Sequence, residues 1–205
     1  SLNANIPRYF VEAHLGPAAL GIFAALTYPM IAGTYVATAL GQAALPVLAR
    51  HFVAGDGIAG PFQDLLLRVS STGVLLGGAG VLLSVIAGRP LLALFYRPEY
   101  ARHVGVLVWL AVAAGLNYIA TFLNAGVTAT RNFRVLTLPY IVHALVAAGL
   151  SAVLVSRAGL MGAAWACCGI SAVGCAIPSL ILVRMRSTRQ GCSIERSELV
   201  GGGVA

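Results

Sequence analysis

Few side chains in this sequence are equipped for chemistry, and most of those few lie where charge is absent. Asn117, Thr121 and Asn124 fall at spacings of four and three, one face of a helix, within an interval from His103 to Thr130 that holds no Asp, Glu, Lys or Arg. His143 lies near the middle of a second such interval, with Pro139 and Tyr140 just before it. Thr34, Thr38 and Gln42 occupy a third at helical spacing. Amides, hydroxyls and an imidazole in apolar surroundings must find hydrogen bonds. They can line a hydrated path for a sugar, or bond between helices and fix packing. His143 adds an ionisable group, suited to proton relay, to phosphate contact, or to a neutral bond with a neighbouring asparagine. The threonines have a further option, the carbonyl one turn back on their own helix. Arg8 can grip a phosphate through two parallel hydrogen bonds, but beside Tyr9 and Phe10 it reads first as a head-group anchor.

Nothing else suggests catalysis. The sequence has no HExxH, GxSxG or P-loop motif, so no enzyme is expected. Its six acidic residues stand at or beyond the ends of the charge-free intervals. No carboxylate pair is therefore available inside them, which also argues against a cation-coupled exporter. His103, His143 and Cys175 lack metal-ligand spacing, and neither metal nor cofactor is expected. Cys167, Cys168 and Cys175 lie in an apolar run and read as small packing residues. Cys192 is expected on the reducing, cytoplasmic side, without a disulfide.

The elements that must position these residues follow from where charge is missing. The 205-residue chain is 59% hydrophobic and 9% charged, with a mean hydropathy of +0.90. A soluble domain carries about 25% charged residues. Charge is absent from Ala13 to Ala49, Val69 to Gly88, His103 to Thr130, Val135 to Ser156 and Ala158 to Val183. Each interval is long enough for a membrane-spanning helix, which needs about 20 residues. The expected fold is all-α and integral to a membrane, with five transmembrane helices near 20–43, 67–88, 104–125, 135–156 and 160–183. An outer loop and lead-in segment over 1–19 would precede them, and a basic cytoplasmic tail over 184–205 would follow. Ser156 to Gly159 reads as a tight turn at a membrane face, with Gly159 permitting the reversal. Gly73 and Gly77 form a GxxxG pattern suited to close helix packing. Gly88 to His103 is expected to be a loop with a short interfacial segment at Leu91–Phe95. The start lacks a secretory signal, and the opening serine suggests a segment of something longer.

The positive charge, net +7, is all arginine. It marks nearly every loop and forms no single stripe, so nucleic acid is not the expected partner. Arg157, Arg184, Arg186 and Arg189 read instead as anchors to anionic lipid head groups. Alternate loops hold eight arginines (50, 68, 131, 134, 184, 186, 189, 196) against five (8, 89, 97, 102, 157). The richer set belongs in the cytoplasm, which puts the C-terminus inside.

Four stretches in order carry a family resemblance: GPAALGIFAA at Gly16–Ala25, ALGQAALPVLAR at Ala39–Arg50, LALFYRPEYA at Leu92–Ala101 and GLMGAAWA at Gly159–Ala166. From about Asn5 to Val183 the chain resembles the C-terminal half of bacterial polysaccharide-biosynthesis transporters. These are the O-antigen and capsule oligosaccharide flippases of the multidrug/oligosaccharidyl-lipid/polysaccharide exporter superfamily. The resemblance implies a twelve-helix, two-lobed protein of the bacterial inner membrane that flips lipid-linked oligosaccharide by alternating access. This chain would supply the last five helices and would need a missing N-terminal lobe or partner half. The bilayer with its anionic lipids and the lipid-linked oligosaccharide would be its other partners. A non-transporting or degenerate membrane subunit, and a multidrug exporter of the same fold, are the alternatives.

Overall fold

Apolar runs of this length can satisfy their backbone only as helices, and helices are what form. The computed structural model describes the backbone of residues 2–56, 58, 60–95, 102–130 and 134–201, and side chains within 5–54, 58, 60–90, 92–94, 102–130 and 140–185. The α-helices are α1 (Leu2–His51), α2 (Pro61–Phe95), α3 (Val104–Ala129) and α4 (Arg134–Gly201), with a single π-helical turn at Phe52–Asp56. The all-α expectation holds. Among the described residues, four helices are long and apolar enough to cross a membrane.

Two of these helices are broken by glycine. In α1, Gly16 takes φ 83°, ψ 174°; in α4, Gly159 takes φ 57°, ψ −134°. Side-chain-bearing residues avoid both conformations. The break at Gly159 is a reversal. A Cβ on Gly162 would collide with the Leu154 carbonyl, and one on Gly169 would lie 2.8 Å from the Leu150 side chain. In one straight helix residues 150 and 169 would stand about 28 Å apart. The arms 134–158 and 160–201 therefore form an antiparallel hairpin, with the turn placed where Ser156–Gly159 suggests it.

Close approaches give the remaining directions. Gly77 meets Gly115, Gly73 meets Phe122 and Gly88 meets Leu107, so α2 and α3 run antiparallel. Gly33 meets Tyr118 and Gly41 meets Phe122, so α1 and α3 run parallel. The Cys168 and Cys175 thiols donate to the Trp109 and Leu116 carbonyls at 3.2 and 3.0 Å, one heptad apart on each helix. The second arm of α4 is thus parallel to α3. The order beyond Gly16 is up, down, up, down, up.

Central α3 contributes to all three buried clusters. Leu107 and Leu110 join Phe23, Leu26 and Val155 near the glycine turns. Tyr118 and Phe122 meet Ala37 at mid-height. At the far end Val127 meets Leu48, Phe62 and Leu182. Large apolar side chains also cover the outside: Leu75 and Ile86 are each 72% exposed and Leu145 is 69% exposed.

Parts of two expected loops are helical. Residues 2–15 form a helical arm because Val11, 0% exposed, packs into the cluster of Phe23 and Leu26. The expected loop at 88–103 begins as helix, since α2 continues through Pro90 to Phe95. Proline removes one ladder bond there, but Leu92 is buried against the same cluster, which holds the last turns in place. Arg97, Tyr96 and Tyr100 lie outside the described residues. Arg186 and Arg189 belong to the backbone of α4, but their side chains lie outside the described set. Arg157 and Arg184 are exposed.

Candidate functional site

A cleft of about 690 Å³ opens between α1, α3 and both arms of α4. Arg8 enters it from the helical arm before Gly16, Thr34 from α1, Asn117 and Asn124 from α3, and Tyr140 and His143 from the first arm of α4. The walls between them are apolar, with Met30, Ile31, Leu110, Ile170 and Ile177 among them. No acidic side chain lines the cleft among the described residues.

Arg8 lies in the cleft wall, a place its sequence neighbours Tyr9 and Phe10 do not indicate. The side chains of Leu15 and the backbone of Gly159 meet where the two breaks come together. Arg8 lies seven residues before Leu15, and Cys167, also in the cleft wall, lies eight after Gly159. At 1.5 Å per residue both stand about 10–12 Å down the bundle from that end. Arg8 is half-buried there, with Nη1 donating to Asn5 Oδ1 at 3.4 Å. Its neighbour Tyr9, by contrast, points outward at 60% exposure. One helical residue separates solvent-facing from cleft-facing positions by about 100°, which the local sequence does not orient.

The other candidates divide. Asn117 is exposed to the cleft although Tyr118 beside it is buried. The Asn124 amide lines the cleft and donates to Ala120 O at 2.8 Å. His143 packs against Gly174 of the opposite arm, where a Cβ would stand 3.1 Å from the ring. Thr121 does not line the cleft; its hydroxyl returns to Asn117 O at 2.8 Å. Thr34 lines the cleft, and its hydroxyl bonds Met30 O at 3.0 Å. Thr38 bonds Thr34 O at 2.7 Å and, with exposed Gln42, lies beyond the last α1 residue of the cleft, Tyr35. Gly73 and Gly77 face α3, away from the cleft. Sequence reasoning missed Tyr35, Ser171 and Gly174 as lining residues. A signal existed for Tyr35: a tyrosine in mid-run, where the membrane–water interface is its usual place.

The chain is similar to the capsular polysaccharide biosynthesis protein CapF of Staphylococcus aureus, with 31% identity over 137 residues. The match covers 66% of this chain and 34% of the relative. The chain thus spans about a third of the length of that curated relative. No family model matches, and no solved structure matches.

Proposed function

We propose that this chain is an integral membrane lobe that moves lipid-linked oligosaccharide across the bacterial inner membrane for cell-surface polysaccharide synthesis. It acts without catalysis, by alternating access against a second lobe. Counting the arms of α4 separately gives five crossings, with the arginine-rich loops and C-terminus in the cytoplasm. The observation that carries the reading is the cleft: Arg8, Asn117 and His143 share one concavity inside an otherwise apolar bundle. Polar and charged groups within apolar helices are expensive and mark transport paths. The guanidinium supplies a phosphate partner, the amides and Tyr140 supply hydrogen bonds for sugar hydroxyls, and the apolar walls suit a lipid tail. The similarity to a capsular polysaccharide biosynthesis protein supports that substrate class. The absence of acidic side chains from the lining, among the described residues, favours an anionic cargo over the cationic drugs of a multidrug exporter.

The test uses the full-length protein in a strain lacking its own copy. Arg8→Gln, Asn117→Leu and His143→Leu are expected to lower surface polysaccharide about ten-fold or more, equivalent to about 1.4 kcal/mol or more, with membrane insertion unchanged. Wild-type export in all three variants would remove the cleft from the mechanism.

A further inference from the structure

The α1 wall of the cleft is weakest around Pro29. Proline offers no N–H to the helix ladder, and its ring crowds the carbonyl one turn back. The hydroxyls of Thr27, Thr34 and Thr38 bond the carbonyls of Phe23, Met30 and Thr34 at 2.7, 3.0 and 2.7 Å, a pattern that bends helices. Gly33 adds no side chain to stiffen the turn. At this point Tyr118, 4% exposed on the central helix, donates its hydroxyl to the Met30 carbonyl at 2.9 Å. The bond can form because residue 33 is glycine, since a Cβ there would overlap the Tyr118 hydroxyl. Tyr118 shares a buried cluster with Ala114 and Phe122 of its own helix, against which Val69 and Leu76 of α2 pack, so the donor is fixed from the α2–α3 side and the acceptor belongs to the softer helix. Met30 and Thr34 both line the cleft.

We propose that Tyr118 and Gly33 form a latch on a hinge at 29–33. The hydroxyl holds the α1 wall against α3, and the part of α1 beyond residue 33 swings when the bond opens. Tyr118 is a positioning residue, acting on the cleft through α1. Its role in transport rests on the reading of the cleft as a path; the hinge itself is tested without substrate. From residue 33 to residue 47 the lever is about 21 Å, so ten degrees of bending moves position 47 by about 4 Å.

Spin-labelled amino acids are incorporated into the full-length protein at 47 and 180, both exposed and at the same end of the bundle, leaving the native cysteines in place. A second pair at 67 and 180 reports α2 against α4. Tyr118→Phe and Gly33→Ala are each expected to shift or broaden the 47–180 distance by several ångströms and leave 67–180 unchanged. The double variant should do no more than Gly33→Ala alone, because the added Cβ, which also lies 2.6 Å from the ring carbon Cζ, already displaces the hydroxyl and breaks the bond that Tyr118→Phe removes. If Tyr118→Phe fails to insert, Gly33→Ala carries the same test. Unchanged 47–180 distances, equal broadening of both pairs, or additive effects in the double variant would each overturn the latch. Loss of export in the cleft variants with unchanged distances here would sink the latch and leave the transport reading standing.

Discussion

Gly77 offers the sharpest test of how the bundle is held together. A Cβ at Gly77 would run into the Gly115 backbone, whereas a Cβ at Gly115 would stand 3.1 Å from Gly77 Cα. Ordinary contact begins at 3.4 Å, so Gly115→Ala asks for a few tenths of an ångström and Gly77→Ala for much more. Backbone cannot rotate aside as a side chain can, so α2 and α3 must separate. That separation propagates, because the seam is tight elsewhere: a Cβ at position 73 or 126 would stand 3.0 Å from the side chain of Phe122 or Leu66. Overpacking costs about 1–3 kcal/mol, offset by up to about 1 kcal/mol of better helix propensity. With the overlap falling on backbone, Gly77→Ala belongs at the upper end of that cost and should lose about 2 kcal/mol net, while Gly115→Ala should stay within about 0.5 kcal/mol of wild type. Reversible unfolding of the purified protein in mixed detergent micelles measures both. A Gly77→Ala variant as stable as wild type, or one more stable than Gly115→Ala, would refute the backbone-to-backbone seam.

Gly159→Ala is expected to destabilise by about 1–3 kcal/mol through backbone strain. The added methyl itself has room, with Leu15 at 3.8 Å; unfolding measurements showing no loss would mean that the reversal does not need glycine. Ser151 is 0% exposed, and its hydroxyl has no hydrogen-bond partner among the described residues. Ser151→Ala should therefore raise stability by about 1 kcal/mol, and a loss in the same assay would mean that the hydroxyl finds a partner in the folded protein.

Much of the fold was legible because charge is so costly in a helix surrounded by apolar matter. Charge-free intervals report helices without any knowledge of neighbours, and the lone Arg-Ala-Gly at 157–159 between two of them leaves room only for a reversal. The helical arm at 2–15 and the end of α2 were not legible. Both depend on Val11 and Leu92 finding the same buried cluster, which is formed by residues distant in sequence.

The sequence by itself determined the all-helical class, the charge-free runs and the presence of a small set of polar groups within them. Helical periodicity placed Asn117, Thr121 and Asn124 on one face, and burial of an unpaired amide or imidazole is costly enough to make each conspicuous. Only the tertiary structure decided that Arg8, Asn117, Asn124, Tyr140 and His143 share one cleft while Thr121, Thr38 and Gln42 stand outside it. Periodicity gives the angle between residues on one helix but not the direction of that face within a bundle. In a soluble helix the polar face finds water and so orients itself. Here most faces are apolar, so core and exterior look alike in sequence, and direction is settled by close approaches such as Gly77 to Gly115 and Gly33 to Tyr118.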